Sequence, residues 1–91
     1  MAKKITVSLT PDLQMPLTPE LIGKAIHAKR TQSRLRLEDA AALCGVAKQT
    51  LMNVEHGHPN IKISTLLQIS AALGIRINIL PWQEEVDNEW Q

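Results

Sequence analysis

The chain of 91 residues contains no Phe and no Tyr, and its single cysteine, Cys44, excludes a framework of internal disulfide bonds. No apolar run approaches the ~18 residues that a membrane-spanning helix needs. The amino terminus leads into an alternating segment and not into the apolar block of a secretory leader. We therefore expect a soluble, cytoplasmic protein in which Cys44 is a small core residue.

The sequence also lacks the patterns that carry most enzymatic chemistry. It has no Gly-rich phosphate loop, no nucleophile elbow and no paired carboxylates typical of a hydrolytic cleft. The histidines His27, His56 and His58 have no cysteine or carboxylate at metal-ligand spacing, and solvation accounts for the two in the 56–58 stretch. We expect a protein without catalytic residues, cofactor or metal ion.

The middle of the chain predicts two short helices joined by a tight turn. Gly45 follows an apolar helix predicted over 37–44, and it supplies the positive φ that such a turn requires. The second helix, predicted over about 48–56, turns Leu51 and Val54 inward because they are three positions apart. This arrangement indicates a helix-turn-helix.

The outer face of the second helix carries side chains that can read DNA bases in the major groove. Lys, Gln and Asn pair with guanine or adenine edges, and a Thr methyl can contact a thymine methyl. A solvated polar helix face is the alternative, but the Ala-rich helix and the Gly turn before it favour DNA binding. The predicted base-reading residues are Lys48, Gln49, Thr50 and Asn53.

Charge is divided unevenly along a chain whose formal net charge is +1. Residues 1–82 carry ten basic and five acidic side chains (+5), whereas residues 83–91 carry four acidic side chains and no basic one (−4). Basic groups around the second helix are placed to contact DNA phosphates. The predicted phosphate contacts are Lys29, Arg30, Arg34, Arg36, His56 and His58.

Helical periodicity predicts two further helices. Thr18 is suited to cap the first of them, with Pro19 at its first position, and this helix runs to about residue 33. The other begins near Ile63 and ends at Gly74. This last helix should close the core. Because such a core is small for an independent domain, we expect the chain to gain further burial by dimerisation.

Alternating apolar residues predict one short strand at each end, over 4–9 and 75–80. A lone strand is barely stable in water, so each needs a partner. Two arrangements stay open: the strands pair within one chain, or the second strand pairs with its copy about a two-fold axis. A dimer of the second kind would hold two recognition helices roughly 34 Å apart, on a palindromic operator.

Both tryptophans lie at or beyond the end of the second strand. Trp82 is expected to cover the edge of the core or of a dimer sheet, whereas Trp90 is either a partner anchor or an idle tail residue. The chain is thus divided into an amino-terminal strand and loop (1–17), a DNA-binding domain (18–74), a dimerisation strand (75–82) and an acidic tail (83–91).

Residues 21–80 resemble the Xre/Cro repressor-like helix-turn-helix family. The Ala, Gly, Val and Glu-x-Gly positions of residues 37–57 match its pattern, but Leu37 replaces a frequent Gln and Ala47 replaces a Ser or Thr cap. The resemblance implies a mainly α, lambda-repressor-like domain of four main helices with short terminal β-strands, the carboxy-terminal one pairing across a dimer. It also implies a sequence-specific repressor in the bacterial cytoplasm, associated with the nucleoid.

Within that family the chain is most similar to HipB-type antitoxins, because one strand and an acidic tail containing Trp follow the helix-turn-helix directly. This likeness implies a repressor that autoregulates its operon and binds a HipA-like kinase toxin, with Trp90 and Glu89 contacting the toxin. It also implies that Ile75, Ile77 and Ile79 are the dimer-interface residues. The alternative is a phage-like or metabolic repressor of the same family with no toxin partner.

Overall fold

The computed structural model describes residues 5–82, whose regular secondary structure consists of four α-helices. Both α1 and α2 contact α3 and α4, so that the four helices surround one core. Each helix begins and ends within one residue of its predicted bounds. These helices are α1 (Pro19–Gln32), α2 (Leu37–Cys44), α3 (Lys48–Glu55) and α4 (Ile63–Leu73).

The helix ends follow from local signals in the sequence. The Leu21 N–H donates to Thr18 Oγ1 at 3.0 Å, and Pro19 occupies the first helical position of α1, where a missing N–H costs nothing. Gly45 and Gly74 end α2 and α4 with φ of 72° and 79°, in the left-handed region that glycine adopts without a steric cost.

The core lies where the four helices meet, and it contains the predicted inward residues of α3, Leu51 and Val54. Cys44 is buried there, which confirms its expected place, and burial raises the pKa of its thiol. Ala40 and Ala41 let α2 approach its neighbours closely. The remaining members are Ile22, Ile26, Ile69 and Leu73.

Neither predicted strand is present in the part of these segments that the structure describes, so pairing within one chain is wrong there. The Ser8 N–H donates to Thr31 Oγ1 (3.0 Å), and Gln32 Nε2 donates to the Ser8 carbonyl (2.9 Å). Side chains of α1 therefore bond the backbone groups that a neighbouring strand would otherwise bond. Residues 75–80 likewise form no strand.

The carboxy-terminal segment lies only partly against the helices. Ile75 and Ile77 are half-buried against the core, whereas Ile79 is exposed. Trp82 is 77% exposed, so the prediction that it covers the edge of the core is wrong. Among the helices of residues 5–82, none is both long and apolar enough to cross a membrane.

Candidate nucleic-acid interface

The turn between α2 and α3 is held by its own backbone. The Gly45 N–H donates to the Ala42 carbonyl at 3.2 Å, and the Val46 N–H donates to the Ala41 carbonyl at 3.0 Å. This pair of bonds is the Schellman motif, which reverses the chain tightly when a left-handed residue follows a helix. The turn thereby sets the direction in which α3 leaves α2.

A side chain of α4 holds the same turn from outside. Gln68 Nε2 donates to the carbonyls of Cys44, at 2.7 Å, and Gly45, at 3.3 Å. These carbonyls are at the end of α2, where no further helical N–H is available to them. Sequence periodicity gave no sign of this role, because the partners are more than twenty positions apart.

Helix α3 crosses α1 at Gly23, where the backbones are in close contact. A Cβ atom at position 23 would lie 2.5 Å from the Val54 carbonyl oxygen and 3.0 Å from that of Glu55. Glycine is therefore required in the middle of α1 despite its low helix propensity. A glycine inside an otherwise periodic helix was the available sequence signal for this contact.

A buried ion pair fixes the end of α3 to α1. The Glu55 carboxylate accepts from Arg30 Nε at 2.6 Å and from Nη2 at 3.0 Å, and His27 Nδ1 lies 2.7 Å from its Oε1. Arg30 Nη1 also donates to the Leu35 carbonyl at 2.9 Å. The structure therefore places Arg30 in the scaffold that positions α3, where its guanidinium is engaged by Glu55 and by the Leu35 carbonyl.

The outer face of α3 carries the four predicted base-reading side chains. Lys48 and Gln49 are exposed, whereas Thr50 and Asn53 are half-buried. Gln49 Nε2 donates to Asn53 Oδ1 at 2.9 Å, one helical turn further along. This bond orients the Gln49 amide and leaves its carbonyl oxygen free. The second N–H makes only a long contact with Met52 Sδ, at 3.9 Å, which a ligand can replace.

Lys48 is paired, but only weakly. Its Nζ lies 3.5 Å from Glu38 Oε2, and both side chains are more than half exposed, so that the pair contributes little to stability. A backbone N–H at the start of α2, and then Lys48, lower the pKa of the Glu38 carboxyl. A phosphate group can replace Glu38 as the partner of Lys48.

The predicted phosphate contacts lie in three places. Arg34 and Arg36 are exposed in the connection between α1 and α2, and His56 and His58 follow α3. Lys29 is separate from both groups, because it lines a groove with the carboxy-terminal segment on another side of α1.

Arg34 has an unusual backbone conformation. Its φ is 61°, and among residues 5–82 it is the one residue other than glycine with a positive φ. The Arg34 N–H donates to the Thr31 carbonyl and the Leu35 N–H donates to the Arg30 carbonyl, so Arg34 occupies the position of a Schellman turn that glycine usually fills. The left-handed conformation costs an L-residue roughly 1–2 kcal/mol.

The amino termini of α2 and α3 both begin without a side-chain cap among the described residues. Arg36 and Ala47 occupy the two N-cap positions, and neither makes a capping hydrogen bond. No N-cap side chain therefore competes with an anion for the first-turn N–H groups, although the Glu38 carboxylate accepts from one of them in α2. The helix dipole favours negative charge at both ends.

Other predicted sites fall outside this face. The predicted interface residues Ile75, Ile77 and Ile79 lie in the segment after α4, and Trp90 and Glu89 lie outside the described residues. Within residues 5–82, no three His, Cys, Asp or Glu side chains come close enough together to hold a metal ion.

Comparison with known proteins identifies relatives of this helical unit. A helix-turn-helix family model matches residues 26–80. An uncharacterized HTH-type transcriptional regulator, y4mF, from Sinorhizobium fredii is 33% identical over 63 residues, which are 69% of this chain and 83% of that protein. The crystal structure of the hypothetical transcription factor NHTF from Neisseria is similar with a TM-score of 0.64 and 26% identity, covering 80% of this chain and 83% of that one.

Proposed function

Because this chain belongs to the Xre/Cro-like helix-turn-helix family of transcriptional regulators, we propose that it is a sequence-specific repressor that inserts α3 into the major groove of DNA. The observation that carries this proposal is the division of α3 into two faces. Leu51 and Val54 are buried on one face, while hydrogen-bonding side chains lie on the other. A helix fixed in this way presents those side chains to base edges.

Gln49 is the principal base-reading residue in this proposal. Its amide is held by Asn53, and the free carbonyl oxygen and N–H match the N6 and N7 atoms of adenine in the major groove. Lys48 reaches a guanine or a neighbouring phosphate when it leaves Glu38, and Thr50 offers a methyl group to thymine.

Phosphate groups are bound on both sides of α3. Arg34 and Arg36 contact the backbone before the recognition helix, and His56 and His58 contact it afterwards. The uncapped N–H groups of α2 and α3 add further donors. Arg30 and Lys29 are not part of this set, because Arg30 is bonded to Glu55 and Lys29 lies on another side of α1.

Substitutions of the proposed base-reading and phosphate-binding residues test these roles. The binding site is first selected from random duplexes, and affinity is then measured on that site and on a scrambled duplex. Gln49→Ala should weaken specific binding by about 1–3 kcal/mol and leave the scrambled duplex unaffected. Arg36→Ala should weaken both and lower the salt dependence. Lys24→Ala, which removes the same charge at an exposed position outside both proposed interfaces, is the control and should alter neither. Equal losses on both duplexes for every variant would contradict the assignment.

We also propose that the repressor is a homodimer joined through the segment that contains Ile75, Ile77 and Ile79. The small core and the exposure of Ile79 support this proposal, since an apolar segment after the last helix gains burial by association. Two subunits would then bind the two halves of a palindromic operator.

The proposed biological role is that of a HipB-like antitoxin that autoregulates its operon and binds a HipA-like kinase toxin. Four acidic residues and Trp90 in positions 83–91 support it, since Trp is enriched among binding hot spots. Deleting 83–91 should abolish co-purification of the kinase and leave operator binding intact. Retention of the kinase by the truncated chain would contradict this role for the tail. If no kinase associates with the full chain, the result would favour a phage-like or metabolic repressor.

A further inference from the structure

The exposed apolar side chains are concentrated at the two ends of the described chain. Eight of the eleven large apolar residues that are exposed in 5–82 lie within 7–17 or 79–82. Leu9 and Ile79 are 92% and 90% exposed. Such a concentration of exposed apolar side chains on a small domain favours a contact surface for a partner.

These two ends border a groove along α1. Its volume is about 980 Å³, and it is lined by residues from three parts of the chain: the loop before α1, the outer face of α1 and the segment after α4. No residue of α2 or α3 lines it, so the groove is separate from the proposed DNA-binding face. Its apolar lining includes Leu13, Met15, Leu17, Leu21 and Ala25.

We propose that this groove is the docking site for residues 79–85 of a second copy of the chain. The inference rests on the proposed homodimer, and it adds the amino-terminal loop to the interface. An interface about a two-fold axis is self-complementary, so one subunit's segment binds its partner's groove while the partner's segment binds in return. Both required features, a groove and an adjoining apolar segment, are present on one surface of this chain.

The apolar area favours a second copy as the occupant. Each large aliphatic side chain offers on the order of 100 Å² when it is fully buried. The exposed apolar residues of the two ends thus provide roughly 400–800 Å² per subunit. A stable interface buries about 800 Å² per partner, so the available surface is close to that of a standard dimer. The largest contribution comes from Trp82, which is 77% exposed.

Charge complementarity favours the same occupant. Lys29 and Arg76 line the groove and carry positive charge. Glu84 and Glu85 follow Trp82 in the sequence, so a docked segment brings two carboxylates toward Lys29 and Arg76. This pairing also accounts for the position of Lys29 away from the recognition helix.

The test uses the full chain and charged substitutions in the groove. Met15 and Leu17 are more than half exposed, so Met15→Glu and Leu17→Glu should leave each subunit folded. Sedimentation equilibrium should show dimer dissociation constants raised at least about tenfold, the usual effect of disrupting an interface anchor. Ile63→Glu, at a position on α4 that is also more than half exposed, is the matched control and should dimerise normally.

A charge exchange provides a second test that does not depend on apolar burial. Lys29→Glu should weaken the dimer, and adding Glu84→Lys and Glu85→Lys to the same chain should restore it. Wild-type dimerisation by both groove variants, with no effect of the exchange, would overturn the proposed docking site and leave the proposed homodimer standing. A wild-type chain that stays monomeric at all concentrations would instead refute the dimer itself.

Discussion

Two regions of the molecule differ in how well their side chains are partnered. One is the contact between α1 and α3, and the other is the surface formed by the two chain ends. At the helix contact, Gly23 allows the backbones to touch, and the buried Glu55 carboxylate is bonded by Arg30 and His27. At the chain ends, large apolar side chains remain exposed. The difference indicates that the helical unit holds its recognition helix without help, whereas the apolar side chains of the ends stay exposed and would be covered in the proposed dimer.

Among substitutions that test this difference between the two regions, Glu55→Gln should change the unfolding free energy most. The substitution keeps the shape of the side chain but leaves Arg30 as a buried charge without its partner, which should cost about 3–5 kcal/mol of unfolding free energy. Urea denaturation measures the loss. Adding Arg30→Met should recover part of it, because the uncompensated charge is then gone. A loss within about 0.5 kcal/mol would show that the pair does not hold α3.

Gly23→Ala should have the next largest effect. The added methyl group would clash with the Val54 carbonyl oxygen, so α3 must move away from α1, at a cost of about 1–3 kcal/mol. Thermal unfolding measures the cost, and Lys24→Ala at the exposed neighbouring position serves as the control. Unchanged stability in the Gly23 variant would mean that the two helices are not in close contact.

Arg34→Gly should act on stability and on DNA binding in opposite directions. Glycine adopts the left-handed conformation of position 34 without the steric cost that Arg34 incurs. Glycine also loses more chain entropy on folding, so the net gain in unfolding free energy should be about 1 kcal/mol. The same change removes a proposed phosphate contact, so DNA affinity should fall. Thermal unfolding and a binding titration on one preparation measure both effects. Higher stability with unchanged affinity would remove Arg34 from the DNA interface.

The smallest effect is expected at the chain ends. Leu9→Gln replaces an almost fully exposed side chain, so the unfolding free energy of the subunit should change by no more than about 0.5 kcal/mol. The unfolding free energy is measured by urea denaturation with and without Leu9→Gln in a chain that also carries Met15→Glu. Because that chain is expected to be monomeric, dimerisation does not contribute to the result. A loss above about 1 kcal/mol would show that this segment belongs to the fold of the single subunit.

The helices and the core face of α3 could be predicted because their signals are local. Thr18 and Pro19 start α1, and Gly45 and Gly74 stop α2 and α4 at the predicted positions. Each of these signals acts on backbone groups within one helical turn. No distant partner was needed for them.

The remaining features depend on distant contacts. The role of Arg30 is set by Glu55, which lies 25 positions away, and that of Gln68 by a turn more than twenty positions earlier. The strands were wrong because alternation describes a half-buried segment but does not supply its ladder partner. The side chains of Thr31 and Gln32 bond the backbone at Ser8 instead.

The most direct measurement is a selection of duplexes from a random library by the full chain and by Gln49→Ala. The wild-type chain should enrich a palindromic site whose half-sites are roughly 34 Å apart, with a fixed adenine in each. The variant should keep the symmetry and spacing and lose the preference at that base pair. An enriched site without two-fold symmetry, or one that the variant selects unchanged, would contradict the account of α3 as a duplicated recognition helix.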